Sequence, residues 1–194
     1  MTNFTKTERW KIREALLKEG ERLFSEHGLK KVAVEDVAHA AGISKGAFYG
    51  FFANKEQLYM EAAEIQKMRL RLEAEAFLNR NRRLPPQELA GRLIGWMLAQ
   101  ADFYPLLRPD GETRRRLNSR LPPSVAGAHL RGDEEGLRRL ERYGIRFTCN
   151  IEVAARVVRW LAAALPEWEE PDGELRRAAA EQIITGIAEK LVEG

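Results

Sequence analysis

One stretch, VEDVAHAAGISKGAFYGFF at residues 34–52, decides the fold of this chain. Ala38 is small enough to let one helix cross closely over the next. Gly42, four residues later, can adopt the left-handed conformation that ends a helix sharply. Ile43 can be buried in the bend, and Ser44 can cap the helix that follows. This spacing predicts two short helices joined by a tight turn, which is the helix-turn-helix arrangement.

Helical spacing also dominates the rest of the chain. No alternating apolar pattern typical of strands runs for more than a few residues. We therefore predict an all-α fold with about nine helices. An N-terminal three-helix helix-turn-helix domain, residues 1–53, is joined by a long helix to a larger helical domain, residues 54–194.

Local signals predict the ends of several helices. Gly28 should end the first helix, and Asn54 should cap the long fourth helix with Gln57 as its capping-box partner. Pro85 and Pro86 should separate that helix from the fifth. The predicted ranges are 7–27, 34–41, 44–52, 54 to about 80, 87–104, two or three short helices within 108–144, 151–165 and 173–192.

Composition narrows the function classes only slightly. The formal net charge is +3, a mild basic excess that fits a nucleic-acid partner without requiring one. The single cysteine, Cys149, excludes an internal disulfide, and no signal peptide is evident, so a reducing cytoplasm is expected. The longest apolar stretch, 157–165, contains Arg159 and is too short to cross a bilayer, so no membrane partner is predicted.

Catalytic and metal-binding patterns are not found in the sequence. His27, His39 and His129 lie far apart along the chain, and no His or Asp is spaced around Cys149 in a catalytic pattern. No phosphate-binding glycine loop, HExxH or CxxC motif occurs. We therefore predict no catalytic residue, no metal and no cofactor.

The third predicted helix leaves an unusual face outward. Lys45, Gly46, Ala47 and Tyr49 are its exposed positions, and this face is small and carries one cation. Such a face suits insertion of a helix N-terminus into a major groove of DNA. The alternative is purely structural, because two short amphipathic helices joined through a glycine occur in many helical proteins.

A wider set of residues resembles the N-terminal domain of the TetR family of transcriptional regulators, of the AcrR-like kind. The resemblance covers roughly residues 10–60, and its matching segments are Glu21–Phe24, Gly28, Val34–Ala38, Ala41–Gly46, Phe48-Tyr49, Phe52 and Lys55–Leu58. It implies a sequence-specific regulator, a ligand-responsive repressor that binds a palindromic operator in double-stranded DNA as a homodimer. The DNA-binding residues that it implies are Ser44, Lys45, Gly46, Ala47, Tyr49 and Lys55.

The chain departs from the family pattern at three positions. Ala33 stands where Ser or Thr usually caps the second helix, Gly50 where a large polar residue is common, and Phe51 where His or Tyr is frequent. Fewer phosphate contacts are therefore expected, although Lys30 and Lys31 can compensate electrostatically. These losses leave a second function open, a protein-binding adaptor that keeps the fold without reading DNA.

The rest of the chain is expected to pair two subunits and to bind a small apolar or aromatic effector. Apolar stripes on the last two helices predict a dimer interface formed by Ile151, Ala154, Val158, Leu161, Ala162, Leu165, Ala179, Ile183, Gly186 and Ile187. Aromatic and apolar residues of the middle helices predict an effector site lined by Met68, Trp96, Met97, Gln100, Phe103, Tyr104, His129 and Phe147. The alternative for both sets is that they form the intrachain core.

Overall fold

The protein is described by a computed structural model that covers residues 4–164 and 173–194, with side chains left out at 101, 123, 125–130 and 163. Within these ranges the chain is all-α, which confirms the predicted fold class. Its nine described α-helices are α1 (Lys6–Lys31), α2 (Val34–Ala40), α3 (Lys45–Phe48), α4 (Lys55–Asn81), α5 (Pro86–Ala99), α6 (Gly111–Arg120), α7 (Pro123–Arg138), α8 (Ile151–Ala164) and α9 (Gly173–Leu191). Short 3-10 turns occupy Ala101–Phe103, Pro105–Leu107 and Arg139–Tyr143.

The chain packs as two compact units. Unit 1 comprises Met1–Arg69 and Tyr104–Pro122, and unit 2 comprises Leu70–Phe103 and Pro123–Gly194. The predicted boundary after residue 53 is a division by function and stays a prediction. By packing, residues 54–69 and 104–122 group with the helix-turn-helix.

The first helix begins and ends on the residues that local chemistry favours. The Thr5 hydroxyl accepts a hydrogen bond from the Glu8 backbone N–H at 3.2 Å, and the Glu8 carboxylate accepts one from the Thr5 N–H at 2.8 Å. Gly28 has φ 77°, so the regular helix ends there and only one further turn follows, as the sequence predicts.

The start of α4 confirms the predicted cap with one shift. The Asn54 side chain accepts from the Gln57 N–H at 2.8 Å. The Gln57 side chain reaches back one residue further than predicted and accepts from the Ala53 N–H at 2.9 Å. Both bonds satisfy groups at the helix N-terminus that would otherwise lack partners.

Two predicted helices are shorter in the structure. The third was predicted to reach Phe52, but α3 ends at Phe48. The chain continues with 3-10-type hydrogen bonds, in which the Gly50 N–H donates to the Ala47 carbonyl and the Phe51 N–H donates to the Phe48 carbonyl. The fifth was predicted to reach residue 104, but α5 ends at Ala99 and a 3-10 turn follows before Pro105. The hydrophobic pattern continues through these tight turns, and for this reason both helices were predicted to be longer than they are.

Each unit has its own hydrophobic core. In unit 1 the fully buried side chains come from α1 to α4 and are joined by Leu106 and Leu117. In unit 2 residues of α4, α5 and α9 pack with Ile145, and the rings of Phe77 and Trp96 stack with 5.3 Å between centroids. Among the described residues, no helix is long and apolar enough to span a membrane.

Candidate nucleic-acid interface

The turn between α2 and α3 has the predicted geometry. Gly42 has φ 73°, and its N–H donates to the His39 carbonyl at 3.0 Å. The Ile43 N–H donates to the Ala38 carbonyl at 2.9 Å, and Ala38 is buried where the helices cross. A side chain at position 42 would be strained because L-residues rarely adopt this φ. The helix-turn-helix prediction is therefore confirmed at its turn.

The third helix is held from one side and open on the other. The Ser44 hydroxyl caps it by accepting from the Ala47 N–H at 3.2 Å. Phe48 is 0% exposed, and the next residue, Tyr49, is 52% exposed. The candidate reading face is defined as Ser44 to Ala47 plus Tyr49. Ala47 is half-buried, where an exposed position was predicted, and the other four residues are exposed. Contact of this face with DNA stays a prediction.

The cation of this face is already paired in the free protein. The Lys45 ammonium donates to the Glu35 carboxylate at 2.5 Å, and both side chains are more than half exposed. The hydrogen bond to Glu35 raises the pKa of Lys45, and the same bond lowers the pKa of Glu35. This pair was not predicted from the sequence because the two residues are ten positions apart. The predicted crossing of the two short helices was the feature from which contact between these two side chains could have been inferred.

Lys55 has a structural role that the sequence did not predict. Its ammonium donates to the backbone carbonyls of Leu29, Lys30 and Val32 at 2.7, 3.4 and 2.6 Å. It thereby satisfies carbonyls at the end of α1, and burial lowers its pKa. The phosphate contact that the resemblance implies for Lys55 stays a prediction. A phosphate would compete with these three carbonyl acceptors, because an ammonium has only three N–H donors.

This geometry predicts that Lys55→Met destabilises the free protein by about 2 kcal/mol, since charged hydrogen bonds to the end of α1 are lost. Lys30→Met is the matched control, because Lys30 is exposed and its ion pair is with exposed Glu112. Its expected cost is below about 0.5 kcal/mol. Urea-induced unfolding without DNA measures both changes. Equal unfolding midpoints for the two variants would contradict the structural role of Lys55.

The positions that depart from the family pattern have other partners. Ala33 offers no side-chain cap, but its N–H donates to the Asp36 carboxylate at 2.8 Å. The Arg9 guanidinium lies 4.8 Å from the centre of the Phe51 ring and donates to the Gly50 carbonyl at 3.0 Å. Arg9 is therefore a cation next to the end of the helix-turn-helix, and the sequence analysis did not single it out.

A segment distant in sequence completes unit 1. The Tyr59 hydroxyl donates to the Leu106 carbonyl at 3.0 Å, and the Gln66 side chain accepts from the Leu106 N–H at 3.1 Å. On α6, Arg116 donates to buried Glu56 at 2.5 Å. Burial also raises the pKa of Tyr59, which keeps its hydroxyl protonated as a donor. These contacts explain why residues 104–122 pack with the helix-turn-helix.

The predicted dimer face needs a correction in α8. Ala154 and Leu161 are buried within unit 2, so they belong to the intrachain core. Among the described residues of α8 and α9, the large apolar side chains that are exposed are Val153, Trp160 and, on α9, Leu175, at 49%, 68% and 64%. The apolar stripe predicted to contact a partner subunit is therefore covered by unit 2 itself at these two positions, Ala154 and Leu161. Of the other predicted positions, Ile151, Val158, Ala162, Ile183 and Ile187 are half-buried and Ala179 and Gly186 are exposed, while Leu165 lies outside the described residues.

The predicted effector residues are distributed over both units. Met68 and Tyr104 belong to unit 1, Met68 exposed and Tyr104 buried. In unit 2, Trp96 and Phe147 pack against one core, Met97 and Phe103 are exposed, and Gln100 is half-buried. The side chain of His129 lies outside the described residues. Among the described side chains, no three His, Cys, Asp or Glu residues form a group that could hold a metal ion.

The fold and the exposed α3 define a helix-turn-helix protein, and comparison with known proteins gives the family that it resembles. Residues 16–62 match the family model described as bacterial regulatory proteins, tetR family. The match is confined to this N-terminal segment, which resembles the corresponding segment of that family.

Curated relatives match over short segments of the chain. The probable acrEF/envCD operon repressor of Escherichia coli K12 is 39% identical over 61 residues, which are 31% of this chain and 28% of that protein. The regulator AcrR of Shigella flexneri is 34% identical over 67 residues, 34% of this chain and 31% of that protein. The chain thus matches less than a third of the length of these relatives.

Solved structures share the fold over nearly the whole chain. A TetR-family regulator from Pectobacterium atrosepticum superposes with a TM-score of 0.64 at 20% identity, covering 93% of this chain and 94% of that one. RolR in complex with the ligand resorcinol gives 0.61 at 17% identity, covering 98% and 99%. Identities this low show the likeness of fold alone.

Proposed function

We propose that this protein is a sequence-specific DNA-binding repressor that binds a palindromic operator as a homodimer and responds to a small ligand. The observation that carries the proposal is the helix-turn-helix itself. Its turn is closed by Gly42, its third helix is anchored by Phe48, and the reading face is open to a major groove. The repressor names of the curated relatives support the direction of regulation.

Selection of bound sequences from random duplex DNA tests the DNA-binding part. We expect a palindromic motif whose half-sites are centred about 34 Å apart, roughly one helical turn, because two symmetric subunits present two third helices. Affinity for the motif should fall steeply with salt, as phosphate contacts release counterions. Selection that enriches no motif at low or moderate salt would reject the proposal.

Dimerisation is proposed through the outer face of α8 and α9, defined by Val153, Trp160, Leu175, Ala179 and Gly186. The first three are large apolar residues left exposed within unit 2. Exposed apolar residues of this size on adjacent helices are typical of interaction surfaces. Small residues at 179 and 186 are exposed on α9 and allow a partner helix to approach closely.

The effector is proposed to be a small apolar or aromatic molecule. Four of the predicted lining residues, Trp96, Phe103, Tyr104 and Phe147, are aromatic. RolR, a protein of similar fold, has been solved with the aromatic ligand resorcinol. Such coupling between ligand and operator is typically about 1–3 kcal/mol and reciprocal. A screen for small aromatic compounds that release the protein from its operator tests this proposal. Because the coupling is reciprocal, such a compound should bind the DNA-free protein more tightly than the operator complex, by the same factor.

The adaptor function remains the alternative, because the only cation on the reading face is paired with Glu35. An adaptor would keep the fold and the dimer but show no sequence preference on DNA. The selection experiment separates the two functions directly.

A further inference from the structure

The ion pair between Lys45 and Glu35 connects two helix starts. Lys45 is the first residue of α3, and Glu35 is the second residue of α2. Their side chains meet at 2.5 Å, and both are exposed, at 52% and 56%. Exposed pairs of this kind contribute little to stability. The packing of the helix-turn-helix rests on Val37, Phe48 and other buried residues instead, so the pair is free to serve recognition.

The paired groups keep unused hydrogen-bonding capacity. An ammonium has three N–H donors, and Glu35 takes one of them. The carboxylate likewise retains free acceptor positions. The pair therefore presents cationic donors and an anionic acceptor side by side, about one hydrogen bond apart, on the exposed side of the reading face.

This arrangement matches one base pair in the major groove better than the others. Guanine presents O6 and N7 as acceptors for a lysine, and cytosine beside it presents an N4 amino group that donates to a carboxylate. A phosphate offers only negatively charged acceptors and would be repelled by Glu35. The same carboxylate thus strengthens binding to one base pair by a hydrogen bond and weakens non-specific binding by repelling phosphates.

We propose that Glu35 is a specificity-determining residue, which together with Lys45 reads one G·C pair in each half-site and weakens binding to all other DNA. The inference rests on the proposed DNA-binding function. It adds a residue of α2 to the DNA-binding residues that the family resemblance implies, which lie around α3 and at the start of α4.

The test compares Glu35→Ala with Glu26→Ala in the full chain. Glu26 is an exposed carboxylate of the same unit, paired with Arg22 at 3.1 Å, so both variants remove one negative charge from an exposed ion pair. Random-duplex selection measures the base preference of each protein. Titration of an unrelated duplex at several salt concentrations measures non-specific affinity.

For the wild type we expect one strongly preferred G·C pair in each half-site. Glu35→Ala should lower that preference about tenfold and raise affinity for the unrelated duplex about three- to tenfold. For this variant, the slope of log affinity against log salt concentration on the unrelated duplex should steepen by about one phosphate contact. The reason is that Lys45, no longer paired with Glu35, can contact a phosphate. Lys45→Ala should relax the same position without raising non-specific affinity. Glu26→Ala should keep the wild-type preference at this position.

Two outcomes overturn the inference alone. In the first, Glu35→Ala selects the same motif as the wild type, and its affinity for the unrelated duplex equals that of Glu26→Ala. The other is a motif in which the position relaxed by Lys45→Ala is an A·T pair. If the wild type selects no motif at any salt, the proposed DNA-binding function fails, and this inference fails with it.

Discussion

Phe48→Ala is expected to destabilise unit 1 by about 3–5 kcal/mol, which is the usual cost of truncating a fully buried aromatic residue. Phe48 is 0% exposed and its ring lies 5.8 Å from that of Phe52 and 5.5 Å from that of Tyr49, centre to centre. Since α3 is only four residues long, it has almost no intrinsic stability and depends on this contact. A small domain is stable by about 5–15 kcal/mol in total, so the loss would leave the reading face poorly formed.

The neighbouring residue supplies the control. Tyr49 is 52% exposed, so Tyr49→Ala should cost less than about 1 kcal/mol. Urea-induced unfolding of the full chain, followed by circular dichroism, measures both, and hydrogen exchange of the α3 amides localises the effect. Similar midpoints for Phe48→Ala and Tyr49→Ala would show that α3 is not anchored in the way described.

Trp160→Glu is expected to convert the proposed dimer to monomer at micromolar concentration. Trp160 is the most exposed large apolar side chain described in α8, and a two-fold axis would place two copies in one interface. A buried tryptophan at an interface commonly contributes 2 kcal/mol or more. Losing two, and burying two carboxylates instead, should raise the dimer dissociation constant by about a thousandfold or more.

Trp10→Glu is the matched control because Trp10 lies on α1 of unit 1 and is 60% exposed, close to the 68% of Trp160. Sedimentation velocity should show a dimer for the wild type and for Trp10→Glu, and a monomer for Trp160→Glu. The monomer should also lose most of its operator affinity, because it binds only one half-site. A dimer that survives Trp160→Glu would place the interface elsewhere.

Local chemistry let the sequence predict the helix-turn-helix closely. Gly28 and Gly42 have the positive φ expected of residues that end helices. Ser44 and Asn54 cap their helices through bonds to residues three positions on. These features need only residues a few positions apart, so they can be recognised in a linear chain.

The dimer face shows where a pattern by itself is insufficient. The sequence predicts that the continuous apolar stripe with Ala154 and Leu161 contacts a partner subunit, yet these two residues are buried within unit 2. Helical periodicity identifies an apolar face but does not say what covers it. The residues left exposed, Val153 and Trp160, were evident only after the packing of α8 was known.

The sequence by itself determined the all-α fold, the helix-turn-helix and the outward position of its third helix. Tertiary structure alone decided the partners of the charged groups, because these contacts join residues 10, 26 and 60 positions apart. Lys45 meets Glu35, Lys55 meets the end of α1, and Arg116 meets Glu56. Such pairings depend on how helices cross, which follows from the packing of the whole core and not from any local run of residues.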